Sequence, residues 1–272
     1  MSTLRNKTLF ITGASRGIGK AIALRAARDG ANIVIAAKTV ERHPTLPGTI
    51  FQAAEEVEAA GGRALPISVD VRFEDQVEKA VERAVAAFGG IDILVNNASA
   101  ISLTGTLETS LKRFDLMQDV NVRGTFVCCQ ACLPWLKRAD NPHVLMLAPP
   151  PDLSPRWFGP HVAYTLSKFS MSLLALGMAE EFRENRIAVN TLWPRTIIAT
   201  AALNAVGLSD TPARKPDIVA NAAYEIFCST STSNTGNFFI DEAVLRASGC
   251  TDFSEYSVPA GISPQIDLFV NE

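Results

Sequence analysis

Two residues able to move a proton lie one helical turn apart. Tyr164 and Lys168 have the spacing Y-x-x-x-K, which places both side chains on one face of a helix. A free tyrosine has a pKa of about 10 and is a poor acid or base at neutral pH. A neighbouring ammonium stabilises the phenolate and lowers that pKa. The spacing alone is common, so the pair is a candidate catalytic site only in the right surroundings.

A second candidate site lies upstream, where a predicted strand runs into the turn TGASRGIG (12–19) and then into a helix. Glycines let such a turn approach a pyrophosphate closely, and the helix N-terminus offers N–H groups and a positive dipole end. The strand before and the helix after are the context that a dinucleotide site requires. The alternative is a structural turn between a strand and a helix. The candidate pyrophosphate-binding residues are Gly13, Ser15, Arg16, Gly17, Ile18 and Gly19.

The end of the second strand bears on the choice of dinucleotide. NAD sites usually have Asp or Glu there for the ribose 2′-hydroxyl, whereas this chain has Ala36-Ala37-Lys38. A cation at this place favours a 2′-phosphate, and Arg16 adds a second positive charge. We therefore predict NADP(H) in preference to NAD(H). The alternative is that Lys38 is an ordinary solvated lysine.

Asp70 ends the third predicted strand. There its carboxylate could accept a hydrogen bond from an adenine amino group, with the Val71 N–H beside it. The alternative role is a helix N-cap for residues 73–88. The sequence leaves both roles open.

Short β-branched runs alternate with helical patterns along the whole chain. The strands are continuous apolar runs, as expected when both faces of a sheet are buried. The alternation predicts an α/β fold of the Rossmann type, a doubly wound, parallel, seven-stranded sheet with helices on both faces. The predicted strands are 8–12, 32–37, 64–69, 91–95, 143–148, 187–192 and 237–241. The predicted helices are 20–28, 51–60, 73–88, 111–138, 161–185 and 215–228, and residues 38–50 are a predicted loop.

Composition narrows the class of protein. The 272 residues are 47% hydrophobic and 19% charged, which suits a globular chain with a full core. A formal charge of −3 argues against nucleic-acid binding, because such proteins are usually basic. We find no targeting segment and no run near the ~18 apolar residues of a membrane span. The five cysteines include one C-x-x-C, Cys129 and Cys132. We expect buried packing there rather than a metal site, in a cytoplasmic protein.

We expect two regions of unequal size. Residues 1–250 form a single dinucleotide-binding and catalytic domain. Residues 251–272 form an acidic tail with four carboxylates and no Lys or Arg. Its segment FSEYSVPAGISPQIDLFV is too apolar for a solvated linker, so we expect it to pack on the domain or on a neighbouring subunit.

Four motifs occur in a characteristic order. They are TGASRGIG (12–19), NNAS (96–99), NVRG (121–124) and YTLSK (164–168). With them the chain resembles the short-chain dehydrogenase/reductase family over about residues 5–245. Segments such as DGANIVIAAKT and GGIDILVNNASAISLT are most similar to a group of hydroxysteroid dehydrogenase-like proteins within it. Members of that group often carry a C-terminal sterol-carrier domain, which we do not expect within these 272 residues.

The resemblance implies three catalytic residues. Tyr164 would be the general acid/base that gives its proton to the substrate oxygen as hydride arrives. Lys168 would bind the nicotinamide ribose and lower the Tyr164 pKa. Asn121 would hold a water in the proton relay from Lys168, the alternative being a residue at a helix kink.

The resemblance also places residues along the cofactor. Asn97 and Ala98 would line the adenosine ribose. Pro194 and Thr196 would lie near the nicotinamide, although Thr196 has an ordinary loop position as its alternative.

The chain departs from the family pattern at two places. A serine usually follows the fifth strand, where this chain has Ala148 and Pro149, or Pro151 by spacing from the tyrosine. None of these side chains can donate a hydrogen bond, and losing one donor to a developing oxyanion costs about 10²–10³ in rate. The nearest hydroxyl downstream belongs to Ser154, and those of Ser99 and Ser102, after the fourth strand, could also reach the site. Separately, Arg195 follows Pro194 where the family usually has glycine.

The sequence therefore predicts an NADP(H)-dependent oxidoreductase that interconverts a carbonyl and an alcohol. The alternative is an NADP(H)-binding regulatory protein with little or no turnover, because the usual serine is absent. The substrate is a small molecule, and the apolar lid at 195–215 fits an apolar or lipid-like one, although simple packing explains the lid equally well. By resemblance, the long helices at 111–138 and 161–185 predict a homodimer or homotetramer.

Overall fold

Nine strands form within the part of the chain that the structure, a computed structural model, describes: residues 3–42 and 46–271. They are β1 (Thr8–Thr12), β2 (Asn32–Ala37), β3 (Arg63–Ser68), β4 (Ile93–Asn96), β5 (His143–Met146), β6 (Ala188–Trp193), β7 (Ala213–Arg214), β8 (Phe238–Ile240) and β9 (Ser257–Val258). Seven of them make one parallel sheet in the order β3-β2-β1-β4-β5-β6-β8. The short β7 and β9 pair antiparallel outside it.

The helices cover both faces of this sheet. They are α1 (Gly17–Ala27), α2 (Ile50–Ala59), α3 (Glu74–Phe88), α4 (Leu111–Met117), α5 (Gly124–Leu136), α6 (Pro155–Phe158), α7 (Val162–Glu181), α8 (Ala201–Ala205), α9 (Asp217–Cys228) and α10 (Asp241–Ala247). Alternate residues of a strand point to opposite faces, so Leu9 and Ile11 join the core under α1, α2 and α9. Phe10 joins the second core, under α3, α5 and α7. The predicted doubly wound fold is confirmed.

Boundaries differ from the prediction where they affect the site. Strand β5 ends at Met146 rather than at residue 148, so the segment expected to carry a serine is already a loop. The single helix predicted over 111–138 is two helices joined by a π-helical turn, Gln118–Arg123. Three helices, α6, α8 and α10, and the pair of short strands were not predicted. In the predicted loop at 38–50, residues 43–45 lie outside the described residues.

Helix α7 lies against the sheet and carries Tyr164 and Lys168. Within the described chain it is the one helix long and apolar enough to cross a membrane by length and composition, and 61% of its apolar window is buried. Core helices of soluble proteins pass the same test, so the feature is weak evidence for a span.

The carboxyl ends of the parallel strands meet at one edge of the sheet. The strand order reverses between β1, from which β2 and β3 extend, and β4, from which β5 and β6 extend. Ligands of open α/β sheets bind in the crevice at such a switch point. The glycine turn follows β1 and the Asn-Asn pair ends β4, so the fold brings these two motifs to the same crevice.

The C-terminal tail returns to this edge. Beyond β6, the Ile197 N–H donates to the Gln265 carbonyl at 2.9 Å, and the Asp267 N–H donates to the Arg195 carbonyl at 3.0 Å. Thr196 and Ile266 form an antiparallel bridge. The tail therefore lies antiparallel to the segment that follows β6 and is joined to it by this isolated bridge.

Candidate active site

The glycine turn presents an uncapped helix N-terminus. Helix α1 begins at Gly17, and its N-cap residue Arg16 makes no side-chain hydrogen bond into the first turn. Gly17 has a φ of +57°, a conformation that favours glycine. A Cβ at Gly19 would lie 2.5 Å from Asn97 Nδ2, so a side chain there would push the helix away from the strand end. The turn thus keeps N–H groups available to an anion.

Thr12 and Asn97 fasten the ends of β1 and β4 together. The Asn97 Nδ2 donates to the Thr12 carbonyl at 2.9 Å and to the Gly13 carbonyl at 3.1 Å. The Thr12 Oγ1 accepts from the backbone N–H groups of Asn97 and Ala98, each at 3.0 Å. The sequence analysis placed Asn97 and Ala98 beside the adenosine ribose. The structure shows them beside the glycine turn, and it reveals Thr12 as an organising residue that the motifs did not single out.

Two cations lie at the end of β2. The Arg16 Nη2 donates to Thr39 Oγ1 at 2.8 Å and to the Gly48 carbonyl at 3.3 Å, which holds the guanidinium beside that strand end. Lys38 is exposed. Within the described residues, neither cation forms an ion pair with a carboxylate. Their charge is therefore available to a phosphate at this end of the crevice.

The Asp70 carboxylate is engaged by a neighbouring arginine. It accepts from Arg72 Nε at 2.9 Å and Nη2 at 2.6 Å, and from the Arg72 backbone N–H at 3.2 Å. These hydrogen bonds lower the Asp70 pKa. The N-cap of α3 is Phe73, without a side-chain cap, so Asp70 does not cap this helix as the alternative role required. The adjacent Val71 is buried and lies against Gly124.

Lys168 points from α7 to the end of β5. Its Nζ donates to the Leu147 carbonyl at 2.7 Å and lies 5.3 Å from the centroid of the Trp193 ring. Burial lowers the pKa of Lys168 to about 7, against a smaller raising effect of the Asp267 carboxylate. The ammonium can therefore lose its proton near neutral pH.

Tyr164 is buried one turn before it. Burial and, to a smaller extent, the charge of Asp267 raise the Tyr164 pKa far above its ordinary value. The lowering expected from Lys168 is not found: burial, the larger cause, and the charge of Asp267 both raise the Tyr164 pKa. The phenol is thus held as a neutral acid, and its hydroxyl makes no hydrogen bond to another described residue.

Asn121 lies within the π-helical turn and is completely buried. Its Oδ1 accepts from the Ala100 N–H at 2.8 Å, and its Nδ2 donates to the Ala100 carbonyl and to Ser167 Oγ, each at 2.9 Å. The Asn121 carbonyl accepts from Thr125 Oγ1 at 2.6 Å. Asn121 therefore lies at a helix irregularity and also ties the loop after β4 to α7, one residue from Lys168.

The segment after β5 has no hydroxyl side chain at positions 148–151. Ala148 is fully buried, and the Pro149 carbonyl accepts from Ser172 Oγ at 2.6 Å, which pins this loop to α7. Of the candidate donors, Ser99 is exposed, Ser102 pairs with Thr104, and Ser154 precedes α6. None of the three hydrogen-bonds to Tyr164.

Thr196 leaves a buried hydroxyl without a partner. Its Oγ1 has no hydrogen bond within the described part of the chain, although Thr196 is only 3% exposed. Pro194 is buried beside it. An unsatisfied buried hydroxyl costs about 1–3 kcal/mol, so the residue suits a polar group of a ligand. Together with the uncapped turn at Gly17, it leaves polar groups available to a ligand at two places on this edge of the sheet.

Arg195, which departs from the family pattern, joins the tail to α10. Its backbone N–H donates to Asp241 Oδ1 at 2.8 Å, and its carbonyl accepts from the Asp267 N–H at 3.0 Å. Its Nε lies 3.7 Å from the Glu242 carboxylate. Glu242 also pairs with Arg214.

The tail places an aromatic residue against Tyr164. Phe269 is 3% exposed, and its ring centroid lies 6.2 Å from that of Tyr164. The other rings around it, with centroids 5.2–6.0 Å away, belong to Trp157, His161, Phe169 and Trp193. The apolar composition of the tail indicated packing, but no sequence signal placed Phe269 or Asp267 at the catalytic pair.

The cysteines of α5 are buried in the core. Burial raises the pKa of Cys129 to about 12 and that of Cys132 well above its usual range. These thiols are therefore protonated. Within residues 3–42 and 46–271, no three His, Cys, Asp or Glu side chains are arranged to hold a metal ion.

Comparison with known proteins identifies the family of the chain. The family model for short chain dehydrogenases matches residues 7–208. Hydroxysteroid dehydrogenase-like protein 2 of Xenopus laevis is 59% identical over 267 residues, which make up 97% of this chain and 64% of that relative. The chain spans about half to two thirds of the length of the curated relatives that it matches.

Solved structures of related proteins have the same fold as this chain. A crystal structure described as a dehydrogenase from Xanthomonas campestris is 57% identical, covers 100% of both chains and has a TM-score of 0.97. A metagenomic short-chain oxidoreductase in complex with NADP is 27% identical, with a TM-score of 0.73 over 88% of this chain and 98% of that one. The resemblance expected from the motifs is confirmed: on its fold, its ordered motifs and these relatives, the chain belongs to the short-chain dehydrogenase family of oxidoreductases.

Proposed function

We propose that the protein is an NADP(H)-dependent oxidoreductase that interconverts a carbonyl and an alcohol, with Tyr164 as the acid/base. The observation that carries this proposal is the convergence of Tyr164, Lys168 and Asn121 on the crevice that holds the glycine turn. A neutral phenol, a buried lysine and a fully hydrogen-bonded asparagine form one connected site on α7 and the turn before α5.

Each residue of the site has its own role in the proposed reaction. In reduction, Tyr164 gives its Oη proton to the substrate oxygen, and the charge of Lys168 stabilises the phenolate that remains. The Leu147 carbonyl holds Lys168 in place for this task. Asn121 holds the loop after β4 against α7 through its hydrogen bonds to Ala100 and Ser167. When bound, NADP(H) supplies the hydride, or takes it up in the direction of oxidation.

Two features of the chain favour NADP(H), while solved relatives of this fold hold either NAD or NADP. The end of β2 carries no carboxylate, and Arg16 and Lys38 place two positive charges there. The NADP complex of the metagenomic relative shows that the family fold accommodates this cofactor. We infer that Arg16 and Lys38 bind the 2′-phosphate, that the turn at 13–19 binds the pyrophosphate, and that Asp70 and Val71 lie at the adenine.

The substrate side of the site is apolar. Trp157, Phe158 and Trp193 join Tyr164 and Phe269 in one hydrophobic cluster. We therefore infer an apolar or lipid-like carbonyl or alcohol. The name of the Xenopus relative points in the same direction.

We further propose a homo-oligomer in the cytoplasm. Helices α5 and α7 expose Phe126, Leu166, Leu173 and Leu176, an apolar face that suits packing against a second copy. Leu173→Glu should shift sedimentation toward a smaller species. An unchanged sedimentation coefficient in that variant would remove this face from the interface.

A second candidate function, a regulatory protein that binds NADP(H) with little turnover, is favoured by the buried Ala148 where the family usually has a donor. One experiment separates the two. NADPH consumption is followed with a panel of ketones, aldehydes and acyl thioesters, alongside NADPH binding. Turnover of any panel member that is lost in Tyr164→Phe supports the enzyme. Tight NADPH binding without turnover across the panel supports the regulatory protein.

A further inference from the structure

The tail brings a carboxyl group to the catalytic pair. Asp267 is fixed on both sides: its N–H donates to the Arg195 carbonyl at 3.0 Å, and the next residue, Leu268, accepts from Trp193 Nε1 at 2.8 Å. The Trp193 ring is the one that lies 5.3 Å from Lys168 Nζ. Phe269 follows and packs on Tyr164. The Asp267 carboxylate accepts from the Leu268 N–H at 2.7 Å, and the chain on either side of Asp267 is held against the segment after β6 and the side chains that pack on Tyr164 and Lys168.

We propose that Asp267 is a positioning residue of the active site, the counter-ion that keeps Lys168 protonated when the tail is docked. The proposal rests on the proposed function, in which a charged Lys168 stabilises the Tyr164 phenolate. It assigns to the C-terminal tail a role in the chemistry and not only in packing.

The surroundings of Lys168 explain why it needs such a group. Its Nζ has the Leu147 carbonyl as hydrogen-bond acceptor and Met171 Sδ at 3.8 Å, and within the described residues no carboxylate lies at ion-pair distance. Burial therefore acts against the ammonium, and Asp267 is the acid whose charge opposes that effect. Asp267 acts on Lys168 through its charge and not through a direct ion pair.

The other charged groups around Asp267 do not replace it. On α7 it faces Lys168 and Tyr164, and His161 packs on the neighbouring Phe269. On α10, Asp241 is a like charge that, together with burial, raises the Asp267 pKa to about 7.

The arginines nearby are already paired. Arg195, Arg214 and Arg246 share the Glu242 carboxylate. Lys168 is therefore the cation left to balance Asp267. Each group of this pair favours the charged form of the other.

Phe269 anchors the segment that carries Asp267. It has a φ of +67°, which a bulky residue adopts only where the surrounding structure enforces it. Five aromatic rings provide that constraint. Loss of the Phe269 ring should therefore release Asp267 from the site.

The test measures the pKa of Lys168 directly, without substrate or cofactor. The full chain is labelled with ¹³C-lysine, the Lys168 signal is assigned by its loss in Lys168→Met, and its pKa is read from a pH titration by NMR. In Asp267→Asn the Lys168 pKa should fall by about one unit, as expected for removal of a nearby opposite charge. Phe269→Ala should give a shift in the same direction, and Asp267→Glu should keep most of the wild-type value.

The matched control is Asp252→Asn, an exposed tail carboxylate that hydrogen-bonds to Ser254. It should leave the Lys168 pKa unchanged. The amide chemical shifts of the tail show whether it stays docked in Asp267→Asn. An unchanged Lys168 pKa in this variant while the tail is docked would overturn the proposal. A shift of the same size in Asp252→Asn would do so too.

With an active substrate in hand, a kinetic readout follows. In the direction of reduction, the alkaline limb of the kcat profile should move to lower pH in Asp267→Asn, because Lys168 loses its proton sooner. An alkaline limb of the kcat profile at the same pH as in the wild type would contradict the counter-ion role. If the protein proves to have no turnover, the proposed function fails, whereas the titration of Lys168 still decides the role of Asp267.

Discussion

The Lys168 ammonium donates a 2.7 Å hydrogen bond to the carbonyl oxygen of Leu147. Leu147 immediately precedes Ala148, which stands where the family usually has a serine. The backbone of this strand end therefore takes part in the site even though its side chain offers no donor.

Restoring that hydroxyl should increase the rate. Ala148 is fully buried, and serine adds a single oxygen at the strand end. Because one donor to a developing oxyanion is worth about 10²–10³ in rate, we expect Ala148→Ser to raise kcat at least about tenfold, measured by NADPH consumption. The Kd for NADPH should stay within about twofold as the internal control. An unchanged kcat would mean that another group already supplies this hydrogen bond.

Removal of the two cations at the end of β2 should weaken NADP(H) binding selectively. A hydrogen bond to a charged group contributes about 1.5–3 kcal/mol, so Arg16→Ala should raise the Kd for NADPH about 10–100-fold, and Lys38→Ala should act in the same direction. The Kd for NADH, measured by the same fluorescence titration, should change little. Equal losses of affinity for NADPH and NADH would show that these residues do not bind the 2′-phosphate.

Asn121→Ala should reduce both stability and turnover. The substitution leaves the Ala100 N–H and carbonyl without their buried partner, and an unsatisfied buried group costs about 1–3 kcal/mol. The free energy of unfolding, from urea titration, should fall by about that amount. Asn121→Asp, which keeps the acceptor for the Ala100 N–H but turns the donor facing the Ala100 carbonyl into a second acceptor and buries a charge, should lose at least as much. A fully stable Asn121→Ala would contradict the hydrogen-bonding role assigned to this side chain.

Acid should destabilise the protein through His143. This histidine is 1% exposed, and burial lowers its pKa to about 4 from an ordinary value of 6.5. Between these two pH values the unfolded chain binds the proton and the folded chain does not, so stability falls as pH decreases from 6.5 to 4. The loss from this residue is about 3 kcal/mol.

The comparison with His143→Gln isolates this effect, because the raised pKa values of Asp241 and Asp267 act in the opposite direction in both proteins. The variant should lose less stability than the wild type over the same pH range. Parallel pH profiles of the free energy of unfolding would exclude His143 as the cause.

Local signals in the sequence were enough for the sheet and the cofactor turn. Each sheet strand is a short apolar run bounded by turn residues, and the Gly13–Gly19 turn depends on a spacing that reads directly from the chain. Tyr164 and Lys168 are four residues apart, so one helix places them together. For such features the interacting residues are neighbours in sequence.

The sequence did not predict the features that depend on docking between distant segments. Asp267 and Phe269 reach Tyr164 and Lys168 only because the tail pairs with the segment after β6, and no periodicity specifies that pairing. The π-helical turn at Asn121 was anticipated only as the alternative of a helix kink, because the helical pattern continues on both sides. Helices as short as α6 carry too little periodicity to be distinguished from a loop.

The central claim is that Tyr164 supplies the proton in an NADP(H)-dependent reaction. The most direct test is the turnover of Tyr164→Phe with the best substrate of the panel, measured beside its Kd for NADPH. Phenylalanine keeps the ring that packs on Phe269 and removes only the hydroxyl. We predict loss of nearly all turnover, on the order of 10²–10⁴-fold, with NADPH binding retained. Turnover close to that of the wild type would contradict the account.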